Sequence, residues 1–142
     1  MDYEERRKEL IDRFKKLRDD AGKDVKFSKA DLHKAFDNTE KTMKWLGIRA
    51  NWLQLHHSFE YKRMEAWKKA YEYYKTDYPF TLNTKEEYQN MIKTDPAYAE
   101  IADLATITSD VIDYIDSTLD AIKSRGWEIK SYIEWMKFTH GQ

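Results

Sequence analysis

The chain has 142 residues, a formal net charge of −1 and no cysteine. That is a length for one domain, and the missing cysteine excludes a disulfide framework, a thiol nucleophile and the usual zinc fingers. Lys plus Arg number 25 against 26 Asp plus Glu, which excludes a uniformly basic nucleic-acid coat and leaves only a local basic patch open.

Four glycines and two prolines leave few turns, so the expected class is all-α, built from long amphipathic helices. A first helix is expected over 2–20, where Tyr3, Leu10, Phe14 and Leu17 recur at helical spacing, with Gly22 ending it. Val25–Phe27 reads as a short extended piece. A second helix starts near Ser28, with Asp31 completing a near capping box. Leu32, Phe36, Met43, Leu46, Trp52 and Phe59 carry its apolar pattern. It either runs from 29 to about 75 or breaks near Gly47 into a hairpin. Unbroken, it would be roughly 70 Å long and would need a fold-back or a partner chain. Pro79 and Asn83 mark a loop, and Thr84 with Glu87 forms a capping box for a short helix over 85–92.

The last helix has the strongest signal. Asp95 caps it and Pro96 takes the first helical position, where a missing N–H costs nothing. Ile101, Thr108, Ile115, Ile122, Ile129 and Met136 then recur every seven residues, with Leu104, Val111 and Tyr132 between them. Ile112, Leu119 and Ile133 widen the stripe beyond a two-stranded seam, which favours a bundle or a ring of subunits. Gly126 would allow a close helix approach. So long an amphipathic helix asks for more partner surface than residues 1–75 clearly offer, and self-association is the expectation.

Little in the chain suggests catalysis. The glycines at 22, 47, 126 and 141 cannot form a phosphate loop. His56 and His57 are adjacent and diverge on a helix, while His33 and Asp37 lie one turn apart on ordinary helix surface. No metal site, cofactor or enzyme activity is expected, and no stretch is apolar enough to span a membrane. The charged N-terminus is not a signal peptide, and the default location is the cytoplasm.

Charge is segregated along the chain. Residues 41–75 hold Lys41, Lys44, Arg49, Lys62, Arg63, Lys68, Lys69 and Lys75 against Glu60, Glu65 and Glu72. Residues 95–120 hold acids and no base, and 121–142 turn basic again. The basic segment is also aromatic. Trp45, Trp52 and Phe59 stand seven apart and read as core, with Trp67, Tyr71 and Tyr74 continuing that core after a shift in phase. Tyr61, Tyr73 and Tyr78 are freer for stacking. Cations beside exposed rings are what sequence-tolerant single-strand binding requires. An acidic protein partner or an anionic membrane surface fits the same charges almost as well.

The string LDAIKSRG at Leu119–Gly126, followed by Trp127 and Ile129–Lys130, resembles the C-terminal signature of the UvsY recombination mediators of T-even-type bacteriophages. Lys44-Trp45-Leu46 and Tyr73-Tyr74 match that family's KWL and YY at the same separation. The resemblance covers nearly the whole chain and is strongest over 119–130. It implies a non-catalytic protein of the bacterial host cytoplasm that binds single-stranded DNA and assembles into closed homo-oligomers of six or seven subunits. It also implies that the protein helps a phage RecA-like recombinase displace the phage single-stranded DNA-binding protein, supporting recombination, replication and repair.

Carried onto this chain, residues 1–94 become a helical region with the DNA-binding surface, and 95–142 an oligomerisation helix. Lys68 falls at a family basic position with Lys69 beside it, while the second family basic position is Ala70 here. Lys62, Arg63, Lys68, Lys69, Tyr73, Lys123 and Arg125 are the expected DNA contacts. Lys123 and Arg125 could equally line a ring interior or meet acids of a neighbouring subunit. Leu119, Ile122, Ile129 and Ile133 are the expected subunit interface. The alternative is a helical adaptor oligomer that binds only proteins; oligonucleotide binding at low salt separates the two.

Overall fold

The computed structural model describes residues 1–26 and 37–141, so the expected start at Ser28, its partner Asp31 and His33 lie outside the described residues. Four helices follow one another: α1 (Tyr3–Asp24), α2 (Asp37–Thr76), α3 (Lys85–Thr94) and α4 (Pro96–Thr139). The all-α class is as expected. Over the described residues α2 takes the unbroken one of its two expected forms, continuing through Gly47, and α4 runs past Gly126 as expected. A glycine within a helix costs about 1 kcal/mol, and buried Trp45 and Trp52 on either side of Gly47 outweigh that.

Gly22 does not end α1, which continues to Asp24. At that end the buried Arg125 guanidinium donates to the Asp24 carbonyl at 2.7 Å, satisfying one of the helix's last carbonyls. Val25 is not extended either: its N–H bonds to the Ala21 carbonyl as one more turn.

The short helix forms for the reason its sequence gave. The Thr84 side chain accepts from the Glu87 N–H while the Glu87 carboxylate accepts from the Thr84 N–H. Asp95 both closes α3 and opens α4, accepting the Ala97 N–H on its side chain.

The chain divides into two compact units that cut across the 94/95 boundary. Unit 1 comprises residues 1–11 and 52–110, and unit 2 residues 12–51 and 111–142. In unit 1, Trp52, Phe59, Leu104, Ile107 and Thr108 are buried, and Ala70, Tyr74, Ile92 and Tyr98 form a cluster in which α3 covers the end of α2. Thr108 occupies an apolar heptad slot without a penalty, since its hydroxyl bonds back to the Leu104 and Ala105 carbonyls and lies 2.9 Å from His56 Nδ1. In unit 2, Leu17, Trp45, Val111, Ile115, Ile122 and Ile129 make the core. The seven-residue line of α4 is therefore covered largely by the chain's own helices. Near its end, Trp127, Ile133, Trp135 and Phe138 remain exposed.

Candidate functional site

On the unit 1 part of α2, burial of Phe59, Ala70 and Tyr74 fixes which side chains face outward. Tyr61, Met64, Glu65, Lys68, Lys69 and Glu72 line a shallow depression of about 520 Å³. Tyr61 and Met64 are 65% and 67% exposed, and Lys62, Lys68 and Lys69 are exposed beside them. The face thus combines an aromatic ring and an apolar chain with mobile ammonium groups. Such a surface neutralises phosphates without fixing a sequence. Tyr73 is 45% exposed and stands edge-on to Tyr74, with ring centroids 5.0 Å apart.

Not every expected contact is presented in this way. Arg63 is half-buried; its guanidinium donates to Glu60 at 2.6 Å and to the Tyr98 hydroxyl at 3.2 Å, so it braces α2 against α4. Ala70, at the second family basic position, faces into the cluster with Tyr74, Ile92 and Tyr98. A cation there would be buried under α3, whereas Lys69, about 100° away around the helix, reaches solvent.

Unit 2 holds the other two expected DNA contacts. Lys123 is exposed, but Arg125 is only 7% exposed and is tied to the Asp24 carbonyl. The Asp24 carboxylate in turn accepts from Lys44 Nζ and from the Trp45 indole N–H, each at 2.8 Å. Lys44 also reaches Asp20 at 3.0 Å. Burial works to raise the Asp24 carboxyl, but the hydrogen bonds from Lys44 and Trp45 and the charges of Lys44 and Lys41 outweigh it, leaving its pKa below the ordinary value. The bond to Asp24 raises Lys44 against its own burial. Lys44, Trp45 and Arg125, all members of the strings that carried the resemblance, therefore converge on the end of α1. Gly126 extends the same packing, because a Cβ built there would lie 2.9 Å from Asn38 Nδ2.

Of the expected interface residues, Ile122 and Ile129 are buried within their own unit at 0% and 7% exposure. Leu119 is half-buried and Ile133 is 38% exposed. The acidic stretch is partly engaged at home: Asp103 pairs with Arg7 and accepts from the Tyr3 hydroxyl, Asp116 pairs with Arg49 at 2.7 Å, and Asp95 accepts from the Tyr74 hydroxyl.

Lys85 and Tyr88, placed by the sequence on the short helix over 85–92, are not among the expected DNA contacts. The signal was present, since the capping box sets Lys85 and Tyr88 three apart on one helical face. Among the described residues, no group of His, Asp and Glu is arranged to hold a metal ion.

The family described as "Recombination, repair and ssDNA binding protein UvsY" matches residues 20–142. No curated protein matches the chain. Three crystal forms of the bacteriophage T4 recombination mediator protein UvsY share the fold. The lattice type IV structure has a TM-score of 0.79 at 24% identity, covering 89% of this chain and 98% of that one. The type II form has a TM-score of 0.79 at 24% identity, covering 90% and 97%. The type I form has 0.77 at 25% identity, covering 87% and 98%. With the family match running from the end of α1 through α2, α3 and α4, the chain belongs to the UvsY family of recombination, repair and single-stranded DNA-binding proteins.

Proposed function

We propose that the protein is a recombination mediator. It binds single-stranded DNA and promotes loading of a RecA-like phage recombinase onto DNA covered by the phage single-stranded DNA-binding protein. It catalyses no reaction itself and acts in the cytoplasm of the bacterial host. Among the described residues, no helix is long and apolar enough to cross a membrane. The observation that carries the reading is the outward face of α2, where Lys62, Lys68 and Lys69 stand exposed beside Tyr61 in a chain of this family.

The mechanism has two parts. Each subunit offers a few cations, a weak site alone. A closed homo-oligomer of six or seven subunits presents such faces together, and once one is engaged the others bind at high effective concentration. DNA gathered in this way takes a shape on which the recombinase nucleates. The exposed end of α4, with Ile133, Trp135 and Phe138, and half-buried Leu119 are the surfaces proposed to join subunits.

The decisive experiment follows the single-strand-dependent ATPase of the recombinase on oligonucleotides already coated with single-stranded DNA-binding protein. Adding this protein should shorten the lag before hydrolysis, and Lys68→Glu with Lys69→Glu should restore it. An unchanged lag with the wild-type protein would refute the mediator reading.

A further inference from the structure

A second concavity in unit 1 lies where α3 begins against α2. Trp67 and Tyr71 of α2 and Tyr88 of α3 form aromatic walls, and Asn83, Lys85 and Gln89 stand at the rim of a cavity of about 380 Å³. The Tyr71 and Tyr88 rings have centroids 5.4 Å apart and are tilted by 42°. Rings that close already touch, so a flat ligand cannot slide between them and instead lies against their open faces. Trp67 is fixed from behind: it packs against the core cluster and meets Tyr98 edge-on at 5.7 Å. Tyr71 is 40% exposed, which leaves ring surface available.

The charges around the cavity favour an anionic chain over a neutral peptide. Lys68 and Lys75 lie three residues before and four after Tyr71, on the same side of α2. Lys75 Nζ sits 5.8 Å from the centre of the Tyr71 ring, and Lys85 is exposed on the rim. Of the nearby acids, Glu87 is drawn into the capping box, where it accepts from the Asn83 and Thr84 N–H groups. Glu72 and Glu86 are exposed and temper the cationic rim without reversing it. The side-chain amides of Asn83 and Gln89 both donate and accept, so they can meet the edge of any base.

We propose that this cavity seats one unstacked base of a single strand, with the flanking phosphates on Lys68, Lys75 and Lys85. The proposal rests on the single-strand reading above and deepens it. Phosphate contacts alone would grip any polyanion, whereas a base seat makes the grip depend on bases being present and unpaired.

The test compares two labelled probes of equal length and charge, an oligothymidylate and an abasic deoxyribose-phosphate oligomer, by fluorescence anisotropy at one salt concentration. The wild-type protein should bind oligothymidylate about tenfold more tightly. Tyr88→Ala should lose most of that preference while keeping its affinity for the abasic probe. Tyr71→Leu, at the more exposed of the two rings, should do the same and guards against a folding defect in the first variant. Tyr88→Phe, which keeps the ring, should retain the preference. Equal wild-type affinity for the two probes would overturn the base seat while leaving single-strand binding intact, as would an undiminished preference in both ring-deleted variants. No binding of either probe would sink the underlying reading as well.

Discussion

The cluster around Asp24 and the outer face of α2 use the same residue types for opposite ends. Around Asp24, buried Trp45 and Arg125 and the partly exposed Lys44 are all tied to one residue at the end of α1. On α2, lysines and a tyrosine point outward and leave their charge to solvent. A charged side chain tied into a buried network contributes to stability through the partner it would leave unsatisfied; an exposed one adds little to stability and much to the surrounding field. Residue type alone does not separate the two, and Arg125 and Lys123, two positions apart in one string, fall on opposite sides.

The comparison is sharpened first by the buried aliphatic line. Ile122→Asn should destabilise the fold by about 3 kcal/mol, seen as a lower thermal midpoint by circular dichroism. Ile133→Asn, at a 38% exposed position, should lower the light-scattering mass with little change in melting. If Ile122→Asn changed the mass but not the melting, the assignment of that residue to the chain's own core would fall.

Next is the cluster itself. Asp24→Ala should cost about 2 kcal/mol, because the Trp45 N–H and the Lys44 ammonium lose their acceptor. Single-strand affinity of the folded fraction should be unchanged. The same carboxylate gives a pH signature. Its folded pKa is lowered, so its contribution is complete above the unfolded value of about 3.9 and is lost as pH falls through the folded value. Lys44 is raised, so its contribution is complete below about 10.4 and is lost as pH climbs through its folded value. Melts of wild type and Asp24→Ala should therefore differ most between about pH 5 and pH 10 and converge in acid. A difference that persisted in strong acid would assign the effect to packing.

A smaller loss, about 1 kcal/mol, is expected for Thr84→Ala, which removes one half of the capping box. The smallest effect on stability belongs to Lys68→Glu with Lys69→Glu, within about 0.5 kcal/mol of wild type. Its effect on binding should be the clearest, with the salt dependence of single-strand affinity flattening by about 1.4 if each lysine meets one phosphate. An unchanged slope would move the DNA track off α2.

Local signals were the legible ones. Thr84 with Glu87 and Asp95 with Pro96 announce two helix starts because each cap is closed within a few residues. The seven-residue lines through Trp45, Trp52 and Phe59, and through Thr108, Ile115, Ile122 and Ile129, announce buried faces because helical periodicity is itself local. What covers such a face is not local, and the apolar stripe reads the same under a neighbouring subunit or under the chain's own α1 and α2. The partner at the end of α1 was hidden for a related reason: the Asp24 carbonyl is met by Arg125, a hundred and one positions away. Of the candidate site, Lys62, Lys68, Lys69 and Tyr73 could be named from the sequence, whereas the inward turn of Arg125 and the bracing of Arg63 required the packed structure.

Placing Ala70 inside the core has a geometric consequence for any strand laid on this protein. The outward lysines on the unit 1 part of α2 then fall into two rows, Lys62 with Lys69 and Lys68 with Lys75, each pair separated by two helical turns, or about 10.5 Å. Footholds spaced in that manner guide a polyanion lengthwise along the helix axis, so the direction of α2 itself would set the heading of the DNA across each subunit.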